Sequence, residues 1–273
     1  MTNFVIKNNM LVRYIGKNEN VIIPDIVTSI GDWAFAGCLS VRSVVIPNTV
    51  TSIGTGAFCN CFSLKSITLS NNLTTIEDEA FDNCTSLTSI TIPNSVTYIG
   101  TSVFNNCKSL TSITLSNSVT TIENDTFYDC SKLTSIVIPN SVTSIGECAF
   151  FNCSKLTSVT IGNSVKTIGK RAFFNCSKLT SIIIPNSVTN INWCAFGYCT
   201  SLKSITLSNS LTTIYANVFY NCSSLISITV PNSVVDIGYG AFSNCSKLKS
   251  VSITNSATKI DETAFNNCES LAV

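Results

Sequence analysis

Two periods run through the apolar positions of this chain, one of 23 residues and, nested inside it, one of two. Cysteine marks the longer: Cys38, Cys61, Cys84, Cys107, Cys130, Cys153, Cys176, Cys199, Cys222, Cys245 and Cys268 follow one another at intervals of 23 without a gap. A phenylalanine stands three residues before each (Phe35 through Phe265), and an isoleucine five before that (Ile30 through Ile260). Leucine stands three after each cysteine, with Val41 the one exception. Aliphatic residues recur six and eight after it, as at Ile113 and Leu115, and an asparagine ten after it (Asn48 through Asn255). One such coil cannot bury its own apolar side, whereas identical coils stacked on each other align these residues into continuous internal ladders. The pattern predicts a single solenoid of about eleven coils over residues 21–273.

Residues 110–115 alternate inward aliphatic with outward hydroxyl side chains over their last part, the period-two signature of a strand, and stacking lines such strands into a parallel sheet. Pro93 with Asn94, or Ser116 with Asn117, then turns the chain, because proline cannot continue a ladder and asparagine accepts tight turns. The rest of a coil, such as residues 99–107, is too short for more than a turn of helix or extended chain. Proline recurs at 47, 93, 139, 185 and 231, every second coil, with Ser70, Ser116, Gly162, Ser208 and Thr254 between. This 46-residue unit reads as the trace of a tandem duplication. At the start, Phe4–Lys7 and Met10–Tyr14 flank Asn8 and Asn9 as a β-hairpin, so residues 1–20 are expected to cap the array. At the other end Leu271, Ala272 and Val273 fall inside a coil with no polar cap, and this open coil is expected to dock on a second copy as a homodimer or longer array.

Composition narrows the partners. Charged residues make up 11% of the chain, against roughly 25% in ordinary soluble domains, and 16 basic residues face 15 acidic ones. No global field steers nucleic acid or anionic lipid toward such a surface. No apolar run reaches the eighteen residues of a membrane span, so membrane insertion is not expected. The first sixteen residues, with Lys7, Asn8, Asn9 and Arg13 among their apolar positions, do not read as a signal peptide.

The run Leu110-x-x-Ile113-x-Leu115, Asn117, Val119, Ile122, Phe127 and Cys130 resembles the BspA-like, or Treponema-type, leucine-rich repeats. So do the variants Pro93-Asn94-Ser95-Val96-x-x-Ile99-Gly100 and Ala149-Phe150-x-x-Cys153. The resemblance covers about residues 21 to 271. It implies an α/β-type repeat solenoid, a leucine-rich-repeat right-handed superhelix with a parallel concave β-sheet. It also implies a surface protein of bacteria or protists engaged in adhesion to matrix proteins or to other cells, with no catalytic residues to carry over.

Candidate chemistry is sparse. No histidine exists, which excludes Ser-His-Asp and Cys-His nucleophiles. The ladder cysteines point in parallel toward the core and are expected as free thiols, without disulfides or zinc. Cys59, Cys148 and Cys194 are the candidates for exposed reactive thiols. Glu77, Asp78, Glu79, Glu123 and Asp125 sit on non-adjacent coils and read as a solvated face, short of the six or more oxygens calcium needs. The Gly-x-Gly strings at Gly54 and Gly238 are turn residues, and no cofactor is implied. The sequons at Asn83, Asn124, Asn152, Asn175, Asn221 and Asn244 follow from a repeat rich in Asn-Cys-Ser.

One outward feature stands out. Serine holds one strand position in every coil from Ser43 to Ser250, and threonine holds most of the next. The candidate partner-binding residues are Ser89, Thr91, Ser112, Thr114, Ser135, Ser158, Thr160, Ser181, Ser204 and Thr206. Their uniformity suits an extended or repetitive protein or glycan ligand better than one compact ligand.

Overall fold

Stacking of the predicted ladders is what the computed structural model, which describes residues 3–271, displays. Each coil contributes a three- or four-residue strand such as Ser112–Thr114, a turn, a two-residue strand such as Thr121–Ile122, and a return through turns. Neighbouring coils pair in parallel and in register, Ser112 on Ser89, Ile113 on Ile90 and Thr114 on Thr91. The α/β-type coil is met here in an all-strand-and-turn form, with no α-helix among the described residues.

The reason lies in where the N–H groups go. In the turn segment alternate residues bond locally and to the next coil. Ala57, Cys59 and Cys61 donate three residues back, to Gly54, Phe58's neighbour Gly56, and Phe58, while Gly56, Phe58 and Asn60 donate to Asp78, Ala80 and Asp82 at 2.8–2.9 Å. A helix would take all these donors for itself; the solenoid takes half of them to join coils. The segment holds two left-handed residues in every coil from Trp33 and Gly37 to Gly240 and Asn244, and one, Asn267, in the last. Asparagine before the cysteine supplies one of them in most coils, as at Asn60 (φ 59°) and Asn83 (φ 56°), since asparagine tolerates this conformation best after glycine.

Inside, Phe35 through Phe242 are fully buried and stack ring on ring, with centroids 4.8–5.8 Å apart and planes within 17° of parallel. The spacing follows from the roughly 4.8 Å separation of paired strands. Beside them runs the cysteine ladder. From Cys61 onward each ladder thiol is free and donates to the carbonyl of the phenylalanine 26 residues earlier, as Cys153 to Phe127 at 3.2 Å and Cys176 to Phe150 at 3.3 Å. Cysteine thus fills a small apolar slot and adds a second donor to a carbonyl that already accepts the N–H three residues on, as Phe127 O accepts from both Cys130 N and Cys153 Sγ.

The N-terminal hairpin pairs Phe4–Lys7 antiparallel with Met10–Tyr14 across Asn8 and Asn9, both at positive φ. Its second strand continues the ladder of two-residue strands by pairing with Ser29–Ile30, and Tyr14 starts the aromatic stack at 4.9 Å from Phe35.

The face of longer strands is not one continuous sheet. It divides into a three-stranded group at the N-terminal end and then two-stranded groups, with breaks after the coils of Ser70, Ser116, Gly162 and Ser208. Proline explains the breaks. A residue before proline is held extended, and Ile23, Ile46, Ile92, Ile138 and Ile184 all continue their strands and donate to the following coil at 2.8–3.0 Å. Leu69, Leu115, Ile161 and Leu207, which precede serine or glycine, make no such bond among the described residues. Within a group further ties accumulate. Asn94 Oδ1 accepts from Asn117 N at 3.0 Å, Ser118 Oγ donates to Asn94 O at 2.8 Å, and buried Ser116 Oγ donates to Val96 O at 2.6 Å. The 46-residue period is therefore a structural unit of two coils. Ser116→Ala is expected to cost about 1–2 kcal/mol, because it strands the buried Val96 carbonyl and removes the acceptor of Ser118 N–H; urea unfolding of the single variant measures it.

Candidate binding surface

Every one of the ten candidate residues lies on a long strand with its side chain turned outward. Ser89, Thr91, Ser112, Thr114, Ser135, Ser158, Thr160, Ser181, Ser204 and Thr206 are exposed. The aliphatic residue between each serine and its partner points into the core. The register places the serines in one row and the threonines in a second. Val137 and Ile183 replace threonine in the second row and are 65% and 70% exposed.

The hydroxyls of these ten residues differ from others on the same surface. Thr88, Thr111, Thr134 and Thr157, one position before the serines, turn theirs back onto carbonyls of adjacent coils at 3.0–3.3 Å. Ser154, Ser177, Ser223 and Ser246 bridge coils on the turn side. Among the described residues the ten candidates make no side-chain hydrogen bond with the protein, so their donors and acceptors face solvent.

Shallow clefts open where the strand groups part. One of about 370 Å³ spans Thr68 to Thr91, one of about 430 Å³ spans Thr114 to Val137, and one of about 340 Å³ spans Thr160 to Ile183. Proline rings and the rims of buried aliphatic residues line them, with no charged side chain. Cleft positions repeat every second coil, about 10 Å by two strand spacings. The sequence carries the signal for them in its alternating prolines.

The other candidates are placed differently. Cys59 is a correction: it is buried, and its thiol donates to Asp82 at 3.6 Å. Burial, and then the Asp82 carboxylate, pushes its pKa up to about 12, because the turn that carries it folds against the next coil. Cys148 is partly exposed, but burial followed by Asp125 and Glu147 raises it to about 11, so it is no activated nucleophile. Cys194 is partly exposed. Asp78 accepts from Thr101 N at 2.7 Å and Glu123 from Thr121 Oγ1 at 2.5 Å, so both serve the coil turns. Among the described residues no group of three acidic or thiol side chains is placed to hold a metal ion. Also among them, no helix is long and apolar enough to cross a membrane. Gly56 and Gly240 occupy left-handed turn positions at φ 58°. In the last coil Ile260 is 48% exposed and Phe265 and Cys268 are partly buried, while Ala272 and Val273 lie outside the described residues.

Parallel in-register coils around stacked leucine, phenylalanine and cysteine ladders define a leucine-rich-repeat solenoid, a scaffold for interactions. More narrowly, the chain belongs to the BspA-type leucine-rich-repeat family, whose repeat region matches it in six copies over residues 6–134, 120–249 and 167–272. Among solved structures it is similar to a leucine-rich-repeat protein of T. pallidum, with 33% identity and a TM-score of 0.60 over 64% of this chain and 86% of that one. It is similar also to a leucine-rich cell surface protein of Faecalibacterium prausnitzii, with 32% identity and a TM-score of 0.53 over 98% and 91%. A leucine-rich-repeat protein of Bacteroides ovatus shares 26% identity and a TM-score of 0.60 over 98% and 91%. No curated protein sequence matches it significantly.

Proposed function

We propose that this chain is an interaction module that binds, without catalysis, an extended protein or glycan partner along its Ser/Thr strand face, in adhesion at a cell surface. The observation that carries the reading is the set of strand hydroxyls left without protein partners, beside a row in which Thr88, Thr111, Thr134 and Thr157 turn their hydroxyls onto the coil backbone. A partner lying along the solenoid axis meets the same strand serine in each coil, a threonine two residues on in most of them, and clefts that recur every second coil. Individually weak contacts then add through multivalency, which favours a repetitive chain over a compact ligand. The cell-surface relative from F. prausnitzii supports the location.

The test is Ser112→Glu with Ser158→Glu. The two positions are exposed and two coils apart, so the new carboxylates do not oppose each other on paired strands. Stability should stay within about 0.5 kcal/mol of the parent, as for ordinary surface changes. Binding to cultured epithelial cells and to plates coated with matrix glycoprotein should fall about tenfold or more. Unchanged binding by the folded variant would sink the proposal.

A further inference from the structure

One variable repeat position gathers aromatic residues in successive coils. The residue after each buried phenylalanine runs Ala36, Cys59, Asp82, Asn105, Tyr128, Phe151, Phe174, Gly197, Tyr220 and Ser243, in the turn segment and not on the strand face. Tyr128, Phe151 and Phe174 form a partly exposed ladder, with rings 4.7 and 5.1 Å apart and within 5° of parallel. The stack stops at Gly197, which carries no ring and over which Phe174 lies so closely that a Cβ would come to 3.0 Å from it.

Tyr198 fills part of the gap. Its ring stands 5.0 Å from Phe174 at a tilt of 52°, and 5.4 Å from Tyr220 at 55°. It does so from a φ of 60°, at a position held by Asn, Asp or Gly in the other ten coils, such as Asn175 and Asn221. A bulky residue in left-handed backbone is strained, and strain of this kind gathers at functional sites. Two more exposed rings stand near, Trp193 in the same turn segment as Tyr198 and Tyr239 further along the array, at 56% and 61%. A cleft of about 320 Å³ is lined by Phe174, Cys194, Tyr198, Asn217, Tyr220 and Tyr239.

We infer that this cleft is a binding site for a neutral carbohydrate, with one face of a pyranose ring against Tyr198 and Tyr220 and its hydroxyls on the Asn217 amide and the tyrosine hydroxyls. The lining has no charged side chain, so nothing in it selects an ionic ligand. It pairs apolar ring faces with phenol and amide groups, the complement of a sugar's C–H face and hydroxyl rim. Asn217 joins the coil ladder through its backbone N–H, which donates to Tyr239 O at 2.9 Å, and its amide is not used there. The cleft opens to solvent at its exposed aromatic rim, which suits a residue within a longer sugar chain better than a wholly apolar molecule that needs enclosure. The site lies on different residues from the Ser/Thr face and does not rest on the function proposed for that face.

The experiment titrates the whole chain with cellotetraose, maltotetraose, laminaritetraose and chitotetraose, read by tryptophan fluorescence and saturation-transfer NMR. At least one is expected to saturate. Tyr220→Ala and Tyr239→Ala should each weaken it about tenfold. Tyr198→Asn installs the residue that other coils use. It should abolish binding while leaving the melting temperature equal to the parent's or higher, a combination that a packing role for the ring would not give. Tyr239→Ala, which alters an exposed ring, keeps the test decisive if Tyr198→Asn folds poorly. The inference is overturned if none of the four sugars saturates, if Tyr198→Asn and Tyr239→Ala both bind as the parent does, or if a neutral tryptophan dipeptide binds in preference to every sugar.

Discussion

Phe150→Ala is expected to destabilise the protein by about 3–5 kcal/mol, and Phe265→Ala by about half as much or less. Phe150 is fully buried and stacks on both sides, 5.1 Å from Phe127 and 5.0 Å from Phe173. Its removal leaves a ring-sized cavity and ends two aromatic contacts, each worth about 0.5–1.5 kcal/mol beyond the buried area. Phe265 is only partly buried and has one partner in the stack, Phe242 at 5.2 Å. In a solenoid the coils touch only their neighbours, so stability is close to a sum of interfaces. A hole in the middle weakens two interfaces and divides the array, and its urea transition should broaden as the halves begin to melt separately. Equal losses at the two sites, with equally sharp transitions, would show that cooperativity spans the whole chain and that the nearest-neighbour account is wrong.

What was legible in the sequence is what strict periodicity encodes. The 23-residue coil, the inward Ile, Phe, Cys and Leu ladders and the outward serines follow from pattern alone, because each is repeated until chance is excluded, while the hairpin follows from two alternating runs around Asn8 and Asn9. Less legible were features that depend on which hydrogen bonds a turn can complete. Asn83, Asn152 and Asn175 look like sequon residues, yet they sit there because the backbone is left-handed. Cys59 looks like a surface thiol beside the core cysteine Cys61, yet the turn buries it against Asp82. The alternating prolines look like the record of a duplication, yet they decide which strands join, through the one residue that each proline holds extended. The aromatic cleft around Tyr198 was the least legible. Its signal is a departure from the repeat, and a reading built on regularity passes over departures.

Regularity in the core also sets the response to alkali, which should be steep. Cys61 through Cys245 place one buried thiol in each of nine successive coils. Burial pushes Cys61, Cys199 and Cys245 up to about 12 and the others in the same direction, the donated bond to the phenylalanine carbonyl holding the proton in place. In the unfolded chain the same thiols ionise near pH 8.5–9. Their contribution to stability is therefore complete below about pH 8 and falls as the pH rises through the unfolded value toward the folded ones. Each thiol removes about 1.4 kcal/mol per pH unit once the unfolded form is ionised, so nine together remove roughly 12 kcal/mol per unit. That exceeds or matches the whole stability of an ordinary domain, about 5–15 kcal/mol. The protein, kept reduced, should unfold cooperatively near pH 10, as followed by circular dichroism. Replacing Cys107, Cys130, Cys153, Cys176 and Cys199 with alanine should lower stability at pH 7, through five small cavities, yet flatten the alkaline limb by about half. A parent that stays folded at pH 11, or a variant with an equally steep limb, would show that the thiol ladder does not govern alkaline stability.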